Sequence, residues 1–121
     1  PQDTSSAASD VYKRQQLLRL NSAPTAIFAS NDEMAAGVMT AAMKRNLIVP
    51  DDISVAGFDD SPKATMIWPQ LTTVRQPIDE MSKIAISMLV SQLRDREVAS
   101  RETKVEYQLI VRDSTSSLKQ S

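Results

Sequence analysis

Hydrophobic and polar positions alternate with two different periods along the chain, and each change of period marks a predicted element. A short apolar run typical of a buried strand occupies residues 25–30, TAIFAS. Residues 31–46 have apolar side chains every three or four positions, acids at the start and bases at the end, which predicts a helix. Residues 53–58, ISVAGF, predict a second strand, and residues 61–68, SPKATMIW, predict a short helix with Pro62 in its first turn.

The second half of the chain continues this alternation of strands and helices. Residues 71–77, LTTVRQP, predict a third strand that ends at a proline. An apolar segment over residues 78–94, with Asp79 and Glu80 in its first turn, predicts a long helix, and residues 104–114 predict a last strand. Alternating elements of this kind predict an α/β fold with a three-layer parallel sheet flanked by helices.

The two ends of the chain differ from its middle in composition. Residues 1–15 are polar and lack periodicity, and their last six residues, DVYKRQ, resemble one reading frame of a transposon-end adapter used to prepare sequencing libraries. We expect this segment to be either a non-native scar or a disordered native tail, and a scar would mean that the protein continues upstream. Residues 116–121 predict a disordered polar tail. The folded part is then residues 16–115, beginning with the end of a helix near residues 16–20.

Charge and composition argue against nucleic acid and membranes as direct partners of this chain. The 121 residues include 14 Lys and Arg against 15 Asp and Glu, for a net charge of −1, and the basic residues form no stripe. No apolar run is long enough to span a membrane, and no signal peptide is recognisable in the sequence. We therefore expect a cytoplasmic location.

The absence of certain residue types narrows the possible chemistry. The chain has no His and no Cys, so it cannot by itself form a Ser-His-Asp triad, a cysteine nucleophile or a Cys/His zinc site. Its two glycines, Gly37 and Gly57, are too few for a P-loop or a GxGxxG turn. We expect no enzymatic activity, no cofactor and no metal. One enzyme hypothesis remains, in which Asp32, Asp59 and Asp60 hold Mg²⁺.

Polar clusters follow the first two predicted strands at their carboxyl ends. They are SND at residues 30–32 and FDD at residues 58–60, and ligands of open α/β sheets collect at that edge. Each cluster also begins a helix, so we expect one residue of SND to cap the long helix and Asp60 or Ser61 to cap the short one. Asp59 has no such structural explanation and is the first candidate for a ligand contact.

Four segments of the chain share a characteristic order and spacing: PTAIFASNDEMAAGV, LIVPDDISVAGFDD, WPQLTTVRQP and LIVRDS. Together they resemble the C-terminal part of the effector-binding core of LacI/GalR-type transcriptional repressors. The resemblance covers residues 16–115 and implies a fold similar to that of periplasmic sugar-binding proteins, with two α/β subdomains, three crossover strands and a small effector in the cleft. It also implies that residues 78–94 belong to the N-terminal subdomain, most of which lies outside this chain.

The resemblance extends to individual residues of the cleft. Asn31 and Asp59 match positions that contact the effector in that family. A carboxylate can accept hydrogen bonds from two neighbouring sugar hydroxyls, and an Asn amide supplies a donor and an acceptor. Phe58 stands where an aromatic wall could contact a ring face, and Gln76 ends a crossover strand near the cleft. These four are the candidate ligand-binding residues, and a sugar is the expected effector.

Three functions follow from these patterns. In the first, the chain senses a small effector for a DNA-binding regulator that is a homodimer when full length and contacts DNA only through a helix-turn-helix absent from this chain. In the second, it is part of an exported sugar-binding protein of a transporter, which a signal peptide upstream would indicate. The third is the magnesium-dependent enzyme, which a Mg²⁺-dependent change in thermal stability would support.

Overall fold

The computed structural model describes residues 13, 16–19, 22–94 and 102–119. Within these ranges the predicted order of strands and helices is confirmed, and every strand is shorter than predicted. The segment 1–15 lies outside the described residues apart from Lys13. The elements are β1 (Ala26–Phe28), α1 (Asp32–Lys44), β2 (Ser54–Ala56), α2 (Lys63–Met66), β3 (Thr73–Arg75), α3 (Ile78–Leu93) and β4 (Gln108–Ile110).

The strands form a parallel pair and an antiparallel pair that are joined at one edge. β1 and β2 are parallel, and β3 pairs with β4 in the antiparallel sense. Two isolated parallel bridges, Ala56 to Thr72 and Asp59 to Arg75, connect β2 and its following loop to β3. The predicted α/β arrangement is therefore confirmed, but the third strand does not extend the parallel sheet by a continuous ladder. Asp59 and Asp60 have positive φ, so the backbone leaves the extended conformation at the second bridge and directly after it.

The core lies where α1 packs on β1 and β2. Ala35, Val38 and Ala42 are almost completely buried and follow one another at helical spacing along one face of α1. Val55, the central residue of β2, lies in the same cluster as Ala35 and Val38, and Ile53 packs with Ala42. Two of the three helix positions are alanines, which allows a close approach between helix and sheet. This contact fixes the start of α1 beside the carboxyl end of β2.

A buried carboxylate at the N-terminus of α1 links three segments of the chain. Asp32 is 1% exposed. Its Oδ1 accepts a hydrogen bond from the Thr73 hydroxyl at 2.5 Å, and its Oδ2 accepts one from the Ser61 backbone N–H at 2.7 Å. The Asp32 backbone N–H donates to the Phe58 carbonyl at 3.0 Å. Because the helix N-terminus also favours a negative charge, the buried ion is satisfied by both its partners and its position.

Gly57 is required because the chain passes very close to this carboxylate. A Cβ on Gly57 would lie 2.5 Å from Asp32 Oδ1, 2.9 Å from Leu71 Cδ2 and 3.2 Å from Ala35 Cβ. The φ of Gly57 is not positive, so the glycine is needed for space and not for backbone conformation.

The segment after β4 returns to the edge of β2 opposite β1. Val55 donates its N–H to the Ser114 carbonyl at 2.8 Å, and the buried Ser114 hydroxyl donates to the Val55 carbonyl. Ser116, the first residue of the predicted tail, donates its N–H to the Ser54 hydroxyl at 3.1 Å. These bonds hold residues 114–116 beside β2.

The long apolar helix α3 has no buried residue. It ends at Leu93, one residue before the predicted boundary. Its apolar side chains are exposed on several faces: Ile78, Met81, Ile86, Leu89, Val90 and Leu93. That this helix belongs to a second subdomain stays a prediction. None of the described helices is long and apolar enough to cross a membrane.

We predict that Gly57→Ala destabilises the fold. The added methyl group must displace either the Asp32 carboxylate or Leu71, and overpacking of this kind costs about 1–3 kcal/mol of unfolding free energy. Gly37→Ala, in the interior of α1, is the control, because alanine has the higher helix propensity and should leave stability unchanged or raise it by up to about 1 kcal/mol. Urea unfolding measures both variants. Equal effects would contradict the tight fit around Asp32.

Candidate functional site

The loop after β2 carries two consecutive aspartates in left-handed backbone conformations. The φ of Asp59 is 110° and that of Asp60 is 54°. Such angles are rare outside glycine, although Asp tolerates them better than most residues. The Asp59 N–H donates to the Val74 carbonyl at 2.9 Å, which attaches the loop to β3. This turn sends the two carboxylates into different surroundings.

Asp60 is held between two arginines. Arg75 Nε lies 2.6 Å from Asp60 Oδ2, and an Arg112 guanidinium nitrogen lies 2.7 Å from Asp60 Oδ1. The Asp60 side chain is only 8% exposed. Burial by itself raises the pKa of this carboxyl, but hydrogen bonds from both arginines and their positive charges outweigh burial and hold the pKa below its usual value. Asp60 is therefore an ionised anchor.

The prediction that Asp60 or Ser61 caps the short helix is wrong. The residue at the N-cap of α2 is Pro62, and no side chain caps that end. Both Asp60 oxygens are engaged by arginines, which form stronger charge-assisted bonds than a helix N–H offers. The corresponding prediction for the long helix is confirmed by Asn31, whose Oδ1 accepts from the Met34 N–H at 2.8 Å.

Asp59, in contrast, is exposed and lies beside Gln76. Gln76 Nε2 donates to Asp59 Oδ1 at 2.7 Å. Among the described residues, Asp59 Oδ2 has no hydrogen-bond donor. The pair thus offers a free carboxylate oxygen together with the side-chain amide oxygen of Gln76, Oε1. Both are acceptors that sugar hydroxyls can donate to.

An apolar cavity of about 490 Å³ adjoins this pair. Gln76 and Phe58 belong to its wall, so the polar pair lies at its margin. The remaining lining residues are Val74, Pro77, Met81, Val105 and Tyr107. A mostly apolar wall with a few polar groups at one side is the usual composition of a small-molecule site. It fits a ligand with an apolar face and hydroxyls at its edge.

The structure brings three of the four predicted site residues together. Phe58, Asp59 and Gln76 are adjacent through the cavity wall and the Gln76–Asp59 hydrogen bond. Asn31 follows β1 as Asp59 follows β2, and because these strands are parallel both residues lie at the same edge. Asn31 does not line the cavity, and its Oδ1 is engaged as a cap. Its Nδ2 amide is the group that remains for a ligand.

The three carboxylates considered for magnesium do not form a metal site. Both oxygens of Asp32 accept protein hydrogen bonds, and both oxygens of Asp60 face arginines. In the part of the chain that the structure describes, no group of three or more His, Cys, Asp or Glu residues could hold a metal ion.

Arg75 and Arg112 are the functional-site residues that the sequence reasoning missed. Each stands at or just beyond the end of a strand, in the sequences VRQ and VRD. An arginine directly after β-branched strand residues, at the edge where acids collect, is the signal that could have paired them with Asp60. The cavity wall supplied by Val105 and Tyr107 has no local sequence signal, because it depends on the antiparallel pairing of β3 with β4.

The arginine pairs of Asp60 predict a specific pH dependence of stability. Because its folded pKa is lowered, Asp60 stabilises the fold fully above the unfolded carboxyl pKa of about 3.9, and this effect is lost as the pH falls through the folded pKa. Asp60→Asn should lower the free energy of unfolding by about 2–4 kcal/mol at pH 7. The difference in unfolding free energy between this variant and the original protein should shrink as the pH falls below about 4. Urea unfolding across pH measures this; a deficit independent of pH would contradict the ion-pair role.

The chain is similar in sequence to a described family and to a probable transcriptional repressor. It matches the family described as "Periplasmic binding protein-like domain" over residues 1–115. Over 100 residues it is 41% identical to the "Probable HTH-type transcriptional repressor ExuR" of Bacillus subtilis (strain 168). That match covers 83% of this chain but only 30% of the relative, so the chain spans less than a third of that protein's length.

Two solved structures share the fold. A LacI family transcriptional regulator from Arthrobacter sp. FB24, in complex with lactose, matches with a TM-score of 0.78 and 30% identity over 93% of this chain and 42% of that one. A LacI family transcriptional regulator from Lactobacillus casei, with bound sucrose, matches with a TM-score of 0.74 and 35% identity over 91% of this chain and 41% of that one. The chain therefore belongs to the periplasmic binding protein-like domain family, in the form found in LacI-type transcriptional regulators.

Proposed function

We propose that this chain forms part of the effector-sensing core of a transcriptional regulator, and that it contacts a sugar through Asp59, Gln76, Phe58 and Asn31. The observation that carries the proposal is the Gln76–Asp59 hydrogen bond at the margin of an apolar cavity. Carboxylate and amide groups beside an apolar wall suit a sugar, which has hydroxyls at its edge and C–H groups on its ring faces. The relatives with lactose and with sucrose point to the same class of ligand.

The shape of the chain suggests how binding produces a response. β3 leads directly into α3, whose apolar side chains are exposed, so we propose that α3 packs on a second subdomain. A sugar between the two subdomains would favour their closed arrangement. In a homodimer, closure would change the spacing of the two DNA-binding segments, which we place outside this chain. The chain itself catalyses no reaction and acts in the cytoplasm.

The uninterrupted coding sequence upstream of residue 1 tests the class of protein directly. A helix-turn-helix at the N-terminus is expected, and the complete protein should then bind DNA with strong salt dependence. A signal peptide in that place would instead assign the chain to an exported sugar-binding protein and overturn the regulator.

We predict that Asp59→Asn abolishes the response to effector without removing DNA binding. The substitution keeps the side-chain volume but replaces a charged acceptor with an amide, so a ligand hydroxyl loses its partner. The expected loss of sugar affinity is about 1.5–3 kcal/mol. Calorimetry of the complete protein with a panel of neutral mono- and disaccharides, including lactose and sucrose, measures the affinity. A DNA mobility assay measures operator release.

The control for this prediction is Asp113→Asn. Asp113 is exposed, its backbone N–H donates to the Gln70 carbonyl at 3.0 Å, and its side chain has no hydrogen bond or ion pair among the described residues. It does not line the cavity, so the variant makes the same charge change outside it. It should bind sugar as the original protein does. If Asp59→Asn and Asp113→Asn bind sugar with equal affinity, Asp59 does not contact the ligand. If no sugar in the panel binds, the proposal that the effector is a sugar is wrong.

We predict a smaller loss for Gln76→Ala than for Asp59→Asn. Gln76 is neutral, and its deletion removes one amide from the cavity wall while leaving Asp59 charged. Removal of a neutral hydrogen-bonding group costs about 0.5–1.5 kcal/mol of affinity. The same titrations measure it. A larger loss for Gln76→Ala than for Asp59→Asn would make the amide, and not the carboxylate, the main polar contact.

A further inference from the structure

The conformation of Asp59 needs support from outside its own loop. Asp59 and Asp60 are the two residues of the loop with positive φ, and neither is glycine. Left-handed conformations at such residues persist only when the surrounding structure holds them. The backbone supplies a bond from the Asp59 N–H to Val74 and a longer one, 3.3 Å, from the Asp60 N–H to the Thr73 hydroxyl. Asp59 itself is exposed, so packing does not fix it.

The loop is also held by the ion pairs of Asp60, one with an arginine of β3 and one with an arginine of the segment after β4. Arg75 is the last residue of β3, and Arg112 lies two residues beyond the end of β4. The Arg112 side chain is 14% exposed, and its other guanidinium nitrogen donates to the Leu71 carbonyl at 3.0 Å. Arg112 is therefore held in place independently of Asp60. The Asp60 carboxylate therefore binds Arg112, which is held in place, and Arg75, which is more exposed.

We propose that Asp60 is a positioning residue, which with Arg75 and Arg112 holds Asp59 in the orientation that meets Gln76 and the ligand. This inference deepens the proposed function, since it takes Asp59 as the ligand contact. Asp60 does not line the cavity, and neither does Arg75 or Arg112. It acts through the backbone it shares with Asp59.

The same geometry couples the ligand contact to both strands of the antiparallel pair. A movement of β3 carries Arg75 and Gln76 with it, and a movement of the segment after β4 carries Arg112. Either movement changes the position of Asp60 and hence the direction of the Asp59 carboxylate. Conversely, a ligand that fixes Asp59 favours one arrangement of these strands over another. Asp60 and its two arginines thus connect the ligand site to β3, the strand that leads into α3.

Hydrogen exchange of the complete protein with Asp60→Asn tests the positioning role without any ligand. The amides of Asp59 and Asp60 should exchange at least about tenfold faster than in the original protein, because the loop opens locally. Exchange at residues 59 and 60 should be nearly independent of low urea concentrations, whereas exchange of the core amides of residues 35–44 in α1 should accelerate with urea, which separates local release from global destabilisation. Asp113→Asn, next to Arg112 in sequence, is the matched control and should leave both groups of amides unchanged.

Sugar titration of the same variants supplies the second readout. Asp60→Asn should weaken binding of lactose or sucrose, whichever the protein binds, by at least about tenfold, and the Asp59→Asn/Asp60→Asn double variant should bind no more weakly than Asp59→Asn alone. Unchanged exchange at residues 59 and 60, or exchange there with the same urea dependence as in α1, would overturn the positioning role. If Asp59→Asn leaves affinity unchanged, the proposed function fails, while the exchange experiment still decides the role of Asp60.

Discussion

The carboxylate of Asp32 is the constraint on which the arrangement of this chain depends. It is buried, so it requires partners for both oxygens, and it takes them from Thr73 on β3 and from the backbone of Ser61 before α2. Its own N–H reaches the Phe58 carbonyl. One side chain at the start of α1 therefore determines where the loop after β2 and the beginning of β3 can lie. Gly57 is necessary for this arrangement, because any side chain at that position would collide with the Asp32 carboxylate.

The candidate site is a consequence of that anchor. Once the loop is tied to α1 and to β3, its two aspartates occupy the edge of the sheet beside the end of β3. Asp60 binds Arg75 and Arg112, and Asp59 accepts a hydrogen bond from Gln76, which lines the cavity. Adjacent carboxylates thus separate into an ionised structural anchor and an exposed acceptor. Different surroundings, and not different residue types, give them different roles.

Much of this architecture follows from local sequence patterns, and the exceptions have a common cause. Helical periodicity predicts α1 and α3 to within a few residues, since each helix carries its own signal. The cap at Asn31 and the polar edge at Asp59 follow from the same local rules. The partners of Asp60 and the burial of Asp32 depend on contacts 15 or more residues away in sequence. Local propensity cannot predict which arginines bind Asp60 or which hydroxyl binds Asp32, because these partners are distant in sequence.

A double-mutant cycle between Asp32 and Thr73 tests the anchor most directly. Urea unfolding at fixed protein concentration would compare the original protein with Asp32→Asn, Thr73→Val and the double variant. If the buried carboxylate joins α1 to β3 through this hydroxyl, the two substitutions should be coupled by about 1.5–3 kcal/mol, as expected for a buried hydrogen bond to a charged group. Losses that add to within about 0.5 kcal/mol would show two independent side chains, and would contradict the anchor.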